Sequence, residues 1–284
     1  MNVELRHLRA LAAIGDAGTI SGAAEALRIS QPALSRTLEQ LESRIGTPLV
    51  ERTTRRLALT DAGRALHERS HLILNQVDDA LAEASVGPRP LRVGFAWALL
   101  GERTTGVLRT WRDQHPATPV RLCRRDDPEA ALRRGELNIA VVRTTPAPRG
   151  DLIAEELYRE ERLAAVPDGH PLARGTGVHL ADLSGQPVVV CSTAATTTGF
   201  WSRGRQPHIL EVAGVDEWLT TIATGEAIGV TTQGTGHSHP HPGIRYLPIV
   251  DAGPVAVLLL RPRVATHPVT EAFVGHVRKM VGVS

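Results

Sequence analysis

Three groups of side chains in this sequence have types and spacing suited to chemistry. The first is Ser30-Gln31-Pro32-Ala33-Leu34-Ser35-Arg36, with Arg52, Thr53, Arg55 and Arg56 further on. Gln, Ser and Arg hydrogen-bond to base edges and phosphates. An arginine-rich tip can follow a phosphate backbone or enter a minor groove. The second is His67-Glu68-Arg69-Ser70-His71, an H-E-x-x-H pattern with two imidazoles one helical turn apart. In a metalloprotease that pattern binds zinc and uses the Glu as general base. The third is His237-Ser238-His239-Pro240-His241, three imidazoles in a Gly/Pro-rich stretch, a set that suits zinc, copper or nickel.

The elements around these groups decide between readings. Leu5, Leu8, Leu11 and Ala12 predict a first helix closed at Asp16-Ala17-Gly18. A second helix starts near Ser21 and carries Ala23, Ala24 and Leu27. Ser30 caps a third, with Pro32 in its first turn, where no N–H is needed. On that helix Leu34, Leu38, Leu41 and Ile45 face a core, and Pro32, Ser35, Arg36, Glu39 and Ser43 face away. Leu49 to Leu59 alternates like a hairpin. This is the arrangement of a winged helix-turn-helix, and its third helix also favours a phosphate at its N-terminus.

Thr60 and Asp61 then open a long helix over 61–85 on which Leu66, Ile73, Val77, Leu81 and Ala84 form a near-heptad apolar seam, as a dimerisation helix does. The H-E-x-x-H pattern falls on this helix. It is expected on a solvated face, with no cleft to supply a third ligand, and no zinc site is assigned to it. The second His group reads as a surface loop beside the strand Ile244 to Ile249.

The same residues carry a resemblance. Leu5-Arg6-His7-Leu8, Ser21-Gly22-Ala23-Ala24-Glu25-Ala26-Leu27, Ser30 to Arg36, Leu38-Glu39-Gln40-Leu41-Glu42, Gly46-Thr47-Pro48-Leu49-Val50-Glu51-Arg52 and Leu59-Thr60-Asp61-Ala62-Gly63 together resemble the LysR-type transcriptional regulators. Ile20 stands where the family usually has an aromatic residue. The resemblance implies that Ser30, Gln31, Pro32, Ser35 and Arg36 meet the major groove of double-stranded DNA, with Arg52, Thr53 and Arg55 on the wing.

Val86-Gly87-Pro88-Arg89-Pro90 is a linker by composition. Beyond it strand and helix patterns alternate, which predicts an α/β domain with a largely parallel sheet. The stretches Ala131 to Val142, Val166 to Ala173 and Ala223 to Thr231 resemble the same family's effector-binding domain, a two-lobed fold like the periplasmic solute-binding proteins. The expected domains are 1–60 (winged helix-turn-helix), 61–90 (dimerisation helix and hinge) and 91–284 (effector-binding). Lobe one is placed at 91–162 and 267–284, lobe two at 163–266. The resemblance places Ala96, Trp97, Thr144, Ser192, Thr193, Asp216, Thr231 and Thr232 in the cleft. Hydroxyls and helix-start N–H groups there suit a carboxylate, and Trp97 suits an aromatic ring.

Composition bounds these readings. The 284 residues are 42% hydrophobic and 22% charged, with a net charge of +2. That fits two or three globular domains and leaves any affinity for nucleic acid to local charge. The run Val255 to Leu260 is too short to span a membrane, and no secretory signal is visible, so a cytoplasmic protein without membrane attachment is expected. Cys123 and Cys191 lack C-x-x-C spacing and read as buried and inert. No Walker loop, complete G-x-G-x-x-G or G-x-S-x-G is present. The expectation is a LysR-type regulator, not an enzyme, with no cofactor and no metal, acting as a homodimer or homotetramer on DNA and sensing a small molecule. The alternatives are a metal-responsive regulator using His237, His239 and His241, or a solute-binding or enzymatic domain with a vestigial head.

Overall fold

A computed structural model describes residues 3–52, 57–86, 89–192, 201 and 207–282; the side chains of Arg52 and Val86 are outside that description. The chain divides into two compact units, Met1–Arg89 with Arg133–Glu136, and Pro90–Leu132 with Leu137–Ser284.

In the first unit, helix α1 (Leu5–Ala17) buries Leu8, Leu11 and Ile14 and ends on Gly18 in the left-handed conformation, as its sequence predicts. His7 is fully buried because it completes the cap: its Nδ1 accepts the Glu4 N–H at 2.9 Å. Helix α2 (Ile20–Ala26) begins one residue before the expected Ser21, because the Thr19 hydroxyl accepts the Gly22 N–H and caps it. Its Ala23 and Ala24 are buried, so α1 and α3 (Gln31–Ile45) pack closely on it. Leu34, Leu38 and Leu41 on α3 are 0% exposed, and such burial is worth about 1.5–3 kcal/mol each.

Strands β1 (Val50–Arg52) and β2 (Leu57–Leu59) pair antiparallel and form the hairpin that the alternation predicts. Helix α4 (Asp61–Val86) follows, its Gly63 N–H bonded to Thr60 Oγ1 at 2.9 Å. Gly63 sits where the helix start crosses the wing: a Cβ there would fall 2.0 Å from the Leu49 carbonyl oxygen. Backbone cannot swing aside as a side chain can, so Gly63→Ala should destabilise the first unit by about 1–3 kcal/mol. Urea unfolding of the variant checks this, and an unchanged midpoint would contradict the contact. The apolar seam of α4 is divided. Leu66 packs on its own unit's core, contrary to the seam reading, whereas Ile73 and Leu81 are exposed.

The second unit starts with β3 (Leu91–Phe95), α5 (Thr104–Gln114), β4 (Val120–Arg124), α6 (Pro128–Arg133), β5 (Ile139–Val142), β6 (Leu152–Glu160) and β7 (Arg162–Pro167). It continues with α7 (Leu180–Leu183), β8 (Val188–Cys191), β9 (Ile209–Val212), α8 (Val215–Ala223), β10 (Ile228–Thr232), α9 (Gln233–Ser238), β11 (Ile244–Pro248), β12 (Val255–Pro262) and α10 (Thr270–Val281).

The strands form two five-stranded sheets, ordered β4-β3-β5-β12-β6 and β11-β7-β10-β8-β9. The first lobe buries Trp111 of α5 and Phe273 of α10 on one face and Ala131 and Leu132 of α6 on the other. That double cover explains the unbroken apolar run of β5. The second lobe is covered by Trp218 and Ile222 of α8 on one face and Leu183 of α7 on the other.

Two expectations need correction. The sheets are mixed: β12 runs antiparallel to β5 and β6, and β7 antiparallel to β10 and β11. And Val255–Pro262, placed in lobe two at 163–266, belongs to the first lobe's sheet. An apolar run reads alike in either lobe. Only its pairing, Leu258–Leu260 with Val142–Ala140, assigns it. The chain therefore crosses between lobes after β6 and again before β12.

Candidate functional site

Between α2 and α3 the chain turns through Arg28, which takes φ 55°, and Ile29 N–H returns to the Ala24 carbonyl at 3.0 Å. Ser30 is extended (ψ 148°), and its hydroxyl accepts the Ala33 N–H. This sharp entry points the first turn of α3 outward. Gln31, Pro32 and Arg36 are exposed, Ser35 is half-buried, and the apolar face beneath them is closed. Arg36 Nε donates to the Pro32 carbonyl at 3.2 Å, which lays its stem along the start of the helix. Glu42 then fixes the wing to α3: its Oε1 accepts from Leu49 N at 2.7 Å and Val50 N at 3.1 Å. The Arg52↔Leu57 pair ends the ladder before the tip. The arrangement is a capped helix with a polar edge beside a two-stranded antiparallel pair.

The second unit has a polar constellation where its lobes meet. Arg143, just past β5, makes a two-pronged bond to Glu160 at the end of β6: Nε to Oε2 and Nη2 to Oε1, both 2.8 Å. Its Nη1 donates to the Trp97 carbonyl at 3.0 Å. Both charged side chains are nearly sealed, at 5% and 4% exposure. Burial pushes the Glu160 carboxyl up, but Arg143, the Thr232 hydroxyl and the Gly234 N–H outweigh it and hold it below its ordinary value.

Trp97, on the loop after β3, reaches across. Its Nε1 donates to Thr235 Oγ1 of α9 at 2.6 Å, and its ring meets Trp218 edge-on at 5.9 Å between centroids. His239 packs at 5.7 Å on the same ring, and burial holds its pKa below the ordinary value, with Asp216 opposing weakly. Gly234 is needed here, because a Cβ would lie 2.5 Å from Glu160 Oε1.

Residues 5–64 match the bacterial regulatory helix-turn-helix protein model of the lysR family, and residues 67–282 match the LysR substrate binding domain. The chain belongs to the LysR family of DNA-binding transcriptional regulators. The Hca operon transcriptional activator HcaR of Escherichia coli (strain K12) is 32% identical to this LysR regulator over 241 residues, 81% of each chain. The HTH-type transcriptional regulator BenM of Acinetobacter baylyi is 29% identical over 281 residues, covering 92% of this chain and 90% of BenM. Among solved structures, CbnR, a LysR family transcriptional regulator, superposes with a TM-score of 0.66 at 22% identity, covering 98% of this chain and 99% of CbnR. Full-length CbnR complexed with its target DNA gives 0.57 at 25% identity, covering 98% and 100%.

In this LysR regulator Ser30, Gln31, Pro32, Ser35 and Arg36 come together at the start of α3. Thr53 and Arg55 of the wing lie outside the described residues, and of Arg52 only the backbone is placed. Among the cleft candidates, Ala96 and Trp97 follow β3, and Thr231 and Thr232 end β10, both buried at 4% and 1% exposure. Thr144, Ser192 and Asp216 are exposed at the ends of β5, β8 and the start of α8. Thr193 is outside the described residues. Trp97 is not a free platform for a ring, since its own ring already packs on Trp218 and His239.

Arg143, Glu160 and Thr235 were missed by the sequence reading. The available signal was a charge closing an apolar strand, Arg143 directly after Ile139–Val142.

The His-rich stretch is not a loop throughout, because Gln233–Ser238 is helical. Its imidazoles diverge: His237 is exposed, His239 faces Trp97, and His241 Nδ1 accepts the Gly243 N–H. That geometry removes the observation that favoured a metal-responsive reading of this stretch. Conversely, His67 and His71 are not on a solvated face; both rings fold against the end of α1. No described helix is long and apolar enough to cross a membrane.

Proposed function

We propose that this regulator reads an operator through Gln31, Ser35 and Arg36 in the major groove, with Ser30 and Pro32 setting the helix entry and the wing on the flanking phosphates. The observation that carries the reading is the pairing of an exposed polar edge with a fully buried Leu34-Leu38-Leu41 face on one capped helix. The exposed Ile73 and Leu81 on α4 support association of two copies along that helix. The interlobe cleft at the ends of β5 and β8 and the start of α8 is the proposed effector site, with the Arg143–Glu160 pair and Trp97 bracing its wall. The exposed hydroxyls of Thr144 and Ser192 and the N–H groups at the start of α8 suit a small carboxylate. Output follows by linkage: a ligand that prefers one lobe arrangement shifts the spacing of the DNA-binding heads. On this reading the protein acts in the cytoplasm as a regulator and catalyses no reaction.

The test is mobility shift with DNA from upstream of its own gene. Binding should weaken as salt rises, because phosphate contacts release counterions. Arg36→Ala should lose roughly 10–100-fold in affinity for the specific site, the worth of about 1–3 kcal/mol for a good base contact. The variant should unfold like the parent, since Arg36 supports no core contact. Undiminished site-specific affinity in Arg36→Ala would remove α3 from the role assigned to it.

A further inference from the structure

We propose that Asp16, His67 and His71 form a binding site for a divalent transition-metal ion joining the end of α1 to α4. His67 Nε2 and His71 Nε2 lie 3.0 and 3.1 Å from the same oxygen, Asp16 Oδ1, and 3.3 Å from each other. An ion with bonds of about 2.0–2.1 Å holds pairs of its ligand atoms roughly 3.0–3.4 Å apart, at octahedral or tetrahedral angles. The triangle has those edges.

Hydrogen bonding alone does not satisfy it. If both Nε2 atoms carry protons, both donate to Asp16 and the two N–H groups confront each other. If one is unprotonated, its lone pair faces the carboxylate oxygen. A cation between the three atoms satisfies all three edges at once. Two imidazoles in the donor set select a transition ion over magnesium or calcium.

The local backbone is built around this triangle. A Cβ on Gly15 of α1 would lie 2.2 Å from His67 Cδ2 and 2.5 Å from its Nε2, so the ring has its seat only because that residue is glycine. Glycine inside a helix is otherwise destabilising. Asp16 stands in the last turn of α1, at the negative end of the helix dipole, with no basic residue in that turn. A bound cation reverses that unfavourable placement. Both rings are mostly buried, at 17% and 20% exposure, and a groove of about 450 Å3 bounded by Arg9, Ala13, Asp16, His71 and Leu74 reaches Asp16 and His71. Among the described residues this is the one group of His, Cys, Asp and Glu whose ligand atoms converge. The H-E-x-x-H pattern thus finds its third donor upstream, on α1, and the arrangement serves to hold two helices together.

The experiment uses the full-length chain without an affinity tag, stripped with chelator and titrated with Zn2+ alone. One equivalent should bind, the thermal transition should rise, and Co2+ in place of Zn2+ should give the visible d–d bands of an N/O-ligated site. At zinc of about 100 times Kd the folded form is favoured roughly 100-fold. His67→Gln/His71→Gln should abolish binding. Asp16→Asn takes away a charged ligand and Gly15→Ala displaces the His67 ring, so each should weaken binding by about tenfold or more, at least what losing an outer partner that orients a ligand costs. His237→Gln/His239→Gln/His241→Gln should bind as the parent does. Failure of the parent to bind an equivalent, or undiminished binding in His67→Gln/His71→Gln, overturns the site. Should the double variant not fold, NMR of the parent decides: Zn2+ must move the ring resonances of His67 and His71, and movement confined to other histidines overturns it.

Discussion

Arg143→Ala should cost about 3–5 kcal/mol of the second unit's stability, because it leaves the Glu160 carboxylate sealed in the fold without its partner. The loss comes from desolvation more than from the missing attraction. Arg143→Met/Glu160→Leu, which removes both charges, should therefore recover most of it. The pH dependence separates this from a plain packing defect. In the parent, Arg143 holds the Glu160 carboxyl below its ordinary value against the upward push of burial. The pair's contribution is then complete above the ordinary carboxyl pKa and fades as pH falls through the lowered one. In Arg143→Ala only the Thr232 hydroxyl and the Gly234 N–H oppose burial, which is the largest influence, and the carboxyl shifts upward. The sign reverses: the variant should be more stable at mildly acid than at neutral pH. Thermal unfolding at the two pH values measures both effects. A variant that melts with the parent at neutral pH would show that the pair adds nothing.

The head was legible because its signals are local. Ser30, Pro32 and the leucines of α3 each act within a few residues, so spacing alone places the cap, the buried face and the exposed edge. The reason for Gly63 was not local. It depends on the Leu49 carbonyl, which the hairpin brings over the start of α4. The same limit explains the misread lobe boundary. Val255–Pro262 has the composition of any buried strand, and its partners lie a hundred or so residues back in the chain (Ala140–Val142 for Leu258–Leu260).

The cleft was the least legible part. Thr144 and Thr232 are placed in the cleft by the family resemblance, which aligns positions and does not report contacts. The neighbour of Thr144, Arg143, carries the geometry instead. A charge at the end of an apolar strand becomes informative only when its counter-charge is known, and Glu160 comes 17 residues later on another strand. His67 and His71 fell between these cases. Their i, i+4 spacing was visible, but the donor that completes the set is on α1, which no local pattern ties to α4.

Trp97→Ala should cost about 3 kcal/mol, the low end for loss of a large aromatic ring since this one is partly exposed. Its effect should fall between the lobes more than within either. Trp97 starts from the first lobe and joins the second lobe's cluster of Ala165, Cys191 and Trp218. The backbone after it is strained: Ala98 and Leu99 take φ 52° and 33°, left-handed values that side chains rarely adopt. Arg143 Nη1 on the Trp97 carbonyl and Thr235 on the indole N–H hold that turn in place. Truncation removes the ring and the Thr235 bond together, so the strain has less to oppose it and the turn relaxes. Amide exchange should accelerate at Thr232 to Ser238 and at Ala98 to Gly101, while β3, β5 and β12 keep their protection. Trp97→Phe keeps an aromatic ring in place but loses part of the indole's contact and the hydrogen bond to Thr235, the latter worth about 0.5–1.5 kcal/mol, and should lie between the parent and Trp97→Ala. Mobility-shift affinity for DNA without added ligand should change little in either variant, because the α3 edge is built entirely from residues of the head. Uniform loss of protection through the first lobe's sheet in Trp97→Ala would mean that the ring supports one lobe's core and not the junction.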